Sequence, residues 1–370
     1  MTVTGYGKGL VLTQPRQFEP REFALPQIGP AEGLLRVEAC GLCGTDHEQY
    51  TGLIESHHAF IPGHEVIGIV EEIGAAAADQ WGVAVGQRVA IEVFKSCRAC
   101  EPCNAGVYRR CESNGVASMV GFVPVDVPPG LNGGYATHLY LPPDTMLMPV
   151  PDGMDPVVAT LFNPLGAGIR WGVELPETGP GDIVAILGPG VRGLCAAAAV
   201  KEAGAEFVMI TGFGPRDAQR LQMASRFGVD LAVDVAETDP NVALRNATGK
   251  KADVVIDVTA KAAAALGQAV TLARPGGTVV LAGVRGTDET PGFHPDHVVY
   301  KELRILGALG VDVTAYRKAL DLLASQRYPF AQLSRQVAGF DDIEPLLQVM
   351  AGDRPGVPPL HGVFAPTVTT

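Results

Sequence analysis

A chain of 370 residues that is 47% apolar and 18% charged can form two domains with separate cores, and it is too apolar to be disordered. Its formal net charge of −12 repels phosphate backbones and lowers the prior for a nucleic-acid partner. No run approaches the ~18 uninterrupted apolar residues of a membrane span, and the opening MTVTGYGKGL lacks the apolar centre of a secretory signal, so the cytoplasm is the expected location.

From about Leu34 to Val93 the chain reads as short β runs broken by glycine: LLRVEAC, HEVIGIVEEIG and GQRVAIEV. Such punctuation predicts a strongly bent, β-rich or barrel-like region with functional residues in its loops. Within it, GLCGTD supplies Cys43 and Thr45, and PGHEVIG supplies His64 and Glu65. Cysteine and histidine are good zinc ligands, and flanking glycines let backbone fold around a metal. Singly, each also reads as a buried small side chain or a satisfied core histidine. Their joint presence, ahead of the features that follow, favours a metal site.

The next run, CRACEPCNAGVYRRC, carries Cys97, Cys100, Cys103 and Cys111. Thiolates spaced by two, two and seven residues can close around one tetrahedral zinc ion. The alternatives are a pair of disulfides, which such short spacing would strain, or four buried small side chains. A Pro-rich passage from Pro124 to Pro156 marks the way out of this first region.

From about 156 to 304 strands alternate with helices. DIVAIL (Asp182–Leu187) meets a glycine turn and a helical run from Leu194 to Ala203; FVMIT (Phe207–Thr211) meets a helix near Ala218–Phe227; DLAVDV follows. Then come ADVVIDV (Ala252–Val258), a helix near Ala262–Leu272 and GTVVLAGV (Gly277–Val284). This alternation predicts a parallel sheet with crossover helices. After about 305 the pattern becomes mixed, with a helix near Ala315–Ser325, and the chain is expected to return to the first domain. The expected division is therefore 1–155 with 305–370, and 156–304.

The turn GPGVRG, with Gly188, Gly190 and Gly193, follows a strand and opens a helix, the context a dinucleotide-phosphate fingerprint requires. The position that usually carries a ribose-binding carboxylate is Gly212, and Arg216 and Arg220 follow closely. Absence of that carboxylate leans the coenzyme choice towards NADP(H) over NAD, with solvated arginines and NAD as the alternative.

GLCGTD, GHEVIG, the four-cysteine lobe and GPGVRG, in that order over nearly the whole chain, resemble the zinc-dependent medium-chain alcohol dehydrogenases, including their threonine and polyol dehydrogenase branch. The resemblance implies an α/β protein: a GroES-like, β-rich catalytic domain plus a Rossmann domain with a doubly wound parallel sheet, and an active site in the cleft between them. It implies that Cys43 and His64 bind a catalytic zinc, that Glu65 ligates it or sits just behind, and that Thr45 passes the substrate proton towards solvent. The lobe at 97–111 would hold a structural zinc. A small alcohol or its aldehyde or ketone is the implied substrate, with no nucleic-acid or membrane partner. A homodimer or homotetramer is implied too, and Leu303–Val313 is either part of its interface or a core strand.

Three positions depart from the family pattern. Asn163, in FNPLGAGIR, stands where the polyol branch has an acidic third ligand, and an amide oxygen is a weaker zinc donor. Either Asn163 ligates poorly, or Glu65 fills the sphere, or the site binds metal less tightly. Glu48 replaces the relay histidine expected five residues after Cys43, with His47 as a substitute carrier or a solvated loop residue. Arg192 replaces an apolar residue inside the glycine turn, and either contacts the coenzyme or is solvated. Phe60, Phe94 and Trp171 are candidate pocket walls. The rival readings are a zinc-free enone or quinone reductase of the same superfamily and a catalytically degenerate NAD(P)-binding sensor.

Overall fold

The computed structural model describes residues 4–260, 262–284 and 290–368. The chain divides into two compact units, residues 1–162 with 331–370 and residues 163–330. The expected boundaries shift accordingly. Residues 305–330 do not return to the first domain, because the strand Arg304–Gly307 adds in parallel to Ala273–Leu281 and the helix Val313–Ala324 follows it within the second unit. The segment 156–162, expected in the second domain, falls in the first.

The first unit is β-rich. Gly33–Leu42 is its central strand and pairs antiparallel with Glu65–Ile73, His138–Leu141 and His361–Phe364. Arg88–Ile91, Leu147–Pro149 and Arg335–Ala338 complete a seven-stranded sheet among the described residues. Two register shifts between Gly33–Leu42 and Glu65–Ile73 supply the bending that the glycine punctuation predicts. Val37, Val66, Val70, Val89, Ile91, Leu139 and Phe364 form part of its core. The hairpin Tyr6–Gln14 with Gln17–Ala24 was not expected from the sequence. Neither was a helix directly after Cys43, Gly44–Thr51, which turns the GLCGTD loop into a helix start.

The second unit carries six parallel strands among the described residues. Their order is Leu231–Asp234, Phe207–Gly212, Ile183–Leu187, Ala252–Asp257, Ala273–Leu281, Arg304–Gly307. In chain order this is 3-2-1-4-5-6, the doubly wound pattern, and the direction of winding reverses beside Ile183–Leu187. The GPGVRG turn leaves that strand, so the glycines stand at the point where such sheets open for a ligand. Two of this unit's helices start earlier than their apolar pattern suggested, while Ala265–Leu272 starts three residues later. Val191–Glu202 begins inside the glycine turn, and Gly214–Ala224 begins at a Gly-Pro step that presets helical φ. The segment Leu303–Val313 is an edge strand followed by loop rather than a core strand. No helix among the described residues is long and apolar enough to cross a membrane.

Candidate active site

Cys43 is the N-cap of the helix Gly44–Thr51, and a reciprocal cap fixes it: its amide N–H donates to Asp46 Oδ2 at 2.8 Å. The helix lies at the end of the strand Gly33–Leu42, and the neighbouring strand opens with Glu65, directly paired with Gly41. Pairing of these two strand ends brings His64 across to Cys43. Cys43 Sγ and His64 Nε2 stand 3.4 Å apart, and these two with a Glu65 carboxylate oxygen all lie within 4.8 Å of one another.

Sulfur, imidazole nitrogen and carboxylate oxygen are the donor set of a zinc site, and a tetrahedral ion with bonds of about 2.3 and 2.0 Å to sulfur and nitrogen sets those atoms roughly 3.5 Å apart. The spacing fits. A further observation concerns Gly41. A Cβ built there would sit 2.3 Å from Glu65 Oε2, so the carboxylate rests on bare glycine backbone. Any side chain at that position pushes Glu65 away. His64 and Glu65 are buried and Cys43 is half-buried, as a cluster of this charge requires if a cation is to offset its desolvation.

Thr45 and Glu48 are both half-buried and stand three residues apart on the helix Gly44–Thr51, hence on one face. His47 lies on a different face and is buried against Asp353 Oδ2, 2.8 Å from its Nε2, with Arg16 at 3.5 Å from the same oxygen. Tyr50, one turn further, donates to the Glu344 carboxylate and accepts from Gln348 Nε2 at 2.9 Å. His47 is therefore buried rather than solvated, and with Tyr50 it latches its helix to the Ile343–Ala351 helix and the residues after it. Asp353 lies 306 residues away, beyond any local sequence signal.

The four sulfurs of Cys97, Cys100, Cys103 and Cys111 also lie within 4.8 Å of one another. Cys97 and Cys103 are 3.8 Å apart, far from disulfide length, and the described cysteines are all unbridged. Amide N–H groups of Ala99 and Cys100 aimed at Cys97 pull its thiol down to about 6, while burial pushes Cys103 up to about 11. The lobe is tied down by Arg98, which donates to the Pro143 and Thr145 carbonyls, and by Tyr108, which donates to Glu92 Oε2 at 2.8 Å. Four cysteine sulfurs within reach of one ion suit it to structure.

In the second unit, Gly188 has φ +104°, a left-handed conformation that only glycine adopts easily. A Cβ at Gly193 would meet the Gly188 carbonyl oxygen at 1.9 Å, so this glycine is demanded by the close approach of helix to strand. Gly190 faces open space, where a pyrophosphate has room beside the first amides of Val191–Glu202. Arg192 is half-buried with its guanidinium 5.2 Å from the ring centroid of buried Trp171. Phe60 and Phe94 are likewise buried.

Gly212 closes the strand Phe207–Gly212, and two carboxylates near it carry no sequence signal. Asp217 accepts from the Phe213 amide and pairs with Arg220 at 3.1 Å; Asp234 accepts from the Gly214 and Ala236 amides. Both carboxylates are engaged in shaping the Phe213–Gly214 turn, and Arg220 is engaged with Asp217. Arg216 stands exposed in the first turn of Gly214–Ala224. Asn163 lies in the second unit, buried, with its amide nitrogen donating to the Tyr316 hydroxyl at 2.9 Å.

Comparison with known proteins follows from both halves. Residues 29–152 match the family described as the alcohol dehydrogenase GroES-like domain, and residues 192–325 match the one described as zinc-binding dehydrogenase. The chain is 62% identical over 360 residues to a Mycobacterium tuberculosis protein named "Probable alcohol dehydrogenase adh", covering 97% of this chain and 98% of that one. It is 30% identical over 328 residues, 88% of each chain, to sorbitol dehydrogenase of Bacillus subtilis. Among solved structures, a protein of Sinorhizobium meliloti 1021 described as a zinc-binding dehydrogenase bound to NADP superposes with a TM-score of 0.83 at 29% identity, covering 98% and 100% of the two chains.

Proposed function

This chain belongs to the zinc-binding medium-chain alcohol dehydrogenase family, and from that premise we propose how its own residues carry the reaction. It is an oxidoreductase that moves a hydride between an alcohol, or the corresponding aldehyde or ketone, and a nicotinamide coenzyme. The observation that carries the residue assignment is the convergence of Cys43, His64 and Glu65 within 4.8 Å.

Cys43, His64 and Glu65 are the protein ligands of the catalytic metal. Glu65 occupies the place that the polyol branch gives to an acidic residue at the position of Asn163. A zinc ion held there supplies Lewis acidity, which favours the ionised form of a substrate hydroxyl. Thr45 Oγ1 takes the hydroxyl proton, and the Glu48 carboxylate on the same helix face carries it outward. His47 holds the helix that presents both groups, through Asp353. Asp46 fixes Cys43 through its amide. In the second unit, Gly188, Gly190 and Gly193 leave room for a pyrophosphate at the start of Val191–Glu202. Arg192, braced on Trp171, borders that site.

The coenzyme is NADP(H) in this reading. Gly212 offers no carboxylate to repel a 2′-phosphate, and Arg216 puts a cation in the first turn of a helix, where the helix dipole disfavours it unless an anion lies nearby. The same proposal includes a cytoplasmic homodimer or homotetramer. The edge strand Arg304–Gly307 is bordered in sequence by exposed Val299, Tyr300 and Leu309, which supports self-association there. Light scattering at working concentration tests it.

The functional test is a panel of alcohols and carbonyls followed by NADPH and NADH absorbance, repeated with a substrate deuterated at the carbinol carbon. Turnover with a primary isotope effect is expected. A zinc-loaded protein that binds coenzyme and transfers hydride to nothing in the panel would leave the sensor reading standing instead.

A further inference from the structure

Tyr135 is 0% exposed and belongs to neither ligand-bearing loop, yet it packs on Gly63 of one and lies within electrostatic reach of Asp46 of the other. Its amide donates to the Pro62 carbonyl at 3.0 Å, and its carbonyl accepts from Leu10 at 2.8 Å, so the backbone is fixed at both ends. The ring presses on Gly63, the residue before His64: a Cβ built at Gly63 would lie 2.7 Å from the ring. The following contact closes the same wall, because the Gly134 amide donates to the Gly63 carbonyl at 2.8 Å. The buried hydroxyl lies within electrostatic reach of the Asp46 carboxylate.

Asp46 is 1% exposed, and its Oδ2 is the acceptor that caps Cys43. Its Oδ1 and the Tyr135 hydroxyl are both buried, and neither has a hydrogen-bond partner among the described residues. Leaving a buried hydroxyl and a buried carboxylate oxygen unmatched is costly, and one donor facing one acceptor is the arrangement that removes the cost.

We propose that Tyr135 is a positioning residue of the metal site: its O–H donates to Asp46 Oδ1, directly or through one enclosed water, while its ring props the His64 loop. One side chain thereby sets the spacing between the Cys43 and His64 donors. The inference rests on the metal-site reading above, and outer-shell partners of this kind typically alter metal affinity by about 10- to 100-fold.

The test uses the whole protein stripped of metal and titrated with Co²⁺, reading the visible spectrum of the Cys43–His64 site separately from that of the four-cysteine lobe. Tyr135→Phe keeps the ring and should weaken cobalt binding at the Cys43–His64 site about 10-fold or more, with cobalt binding at the lobe unchanged and the fold retained. Asp46→Asn should weaken it at least as much, and the double variant should be no worse than Asp46→Asn alone. Tyr135→Phe binding within twofold of the native protein, or additive losses, would overturn the proposal. So would loss of cobalt at both sites or failure to fold, since the hydroxyl would then be serving the fold at large. A native protein that takes no cobalt at Cys43 and His64 would overturn the underlying reading as well.

Discussion

His361 makes the first unit acid-sensitive in a way that can be worked out from its partners. It is buried at the start of the strand His361–Phe364, with Nδ1 accepting from Arg335 Nε at 2.9 Å and Nε2 bonded to Thr160 Oγ1 at 3.0 Å. Burial, and then the Arg335 charge, push its pKa down to about 3. An unfolded histidine titrates near 6.5, so the unfolded chain binds the proton more readily at every pH between those values. Stability from the neutral ring is complete above about pH 6.5 and is lost as the pH falls towards 3, at about 1.4 kcal/mol per pH unit. Between pH 7 and 4.5 the loss comes to about 2.5 kcal/mol, with a ceiling near 5 kcal/mol if the whole shift were realised. The strand pairs with Gly33–Leu42, which ends one residue before Cys43, so the loosened strand is the neighbour of the one that leads to the ligand. His361→Gln can offer Arg335 an acceptor and Thr160 a donor without titrating. Urea unfolding in a Trp171→Phe background, with Trp81 reporting the first unit, should show native stability falling more steeply than that of the glutamine variant. Metal loss at low pH affects both proteins and cancels in the difference. Parallel curves from pH 7 to 4.5 would refute the reasoning.

Three further outcomes follow from named contacts. Gly41→Ala should fold, at a cost of about 1–3 kcal/mol for overpacking, but displace the Glu65 carboxylate and lower turnover at least about 10-fold; metal retention like that of the native protein would contradict it. Arg216→Ala should raise KM for NADP by about 10- to 100-fold and leave NAD kinetics unchanged, whereas equal effects on the two coenzymes would remove the basis for the NADP reading. Lys301 Nζ donates to the Val270, Thr271 and Ala273 carbonyls at the end of the helix Ala265–Leu272, and Lys301→Met should lower the urea-unfolding free energy of the second unit by about 2 kcal/mol with kcat unaffected.

Features legible in the sequence were those whose chemistry is local. The glycine turn at 188–193 and the cysteine run at 97–111 announce themselves because backbone approach and thiolate spacing are set within a few residues. The alternation of strand and helix was equally readable, since burial on both faces of a parallel strand leaves an apolar run. What stayed hidden depends on distant partners. Nothing near His47 in sequence announces Asp353, the partner that buries it, and Tyr135 has no motif at all until the fold sets it on Gly63 and within reach of Asp46. The segment 305–330 was misassigned because a short edge strand, half-exposed, lacks the continuous apolar signal of its neighbours. Asp217 and Asp234 were missed because a carboxylate bonding its own turn reads as an ordinary surface acid.

The central claim is that Cys43, His64 and Glu65 hold the metal on which alcohol oxidation depends, apart from the ion of the cysteine lobe. Elemental analysis of the purified native protein and of Cys43→Ala, with alcohol turnover measured on the same samples, tests it most directly. About two zinc ions per native chain, and in the variant about one with turnover lost at least ~1000-fold, is the expected result. A variant that keeps both its metal content and its activity would contradict the account.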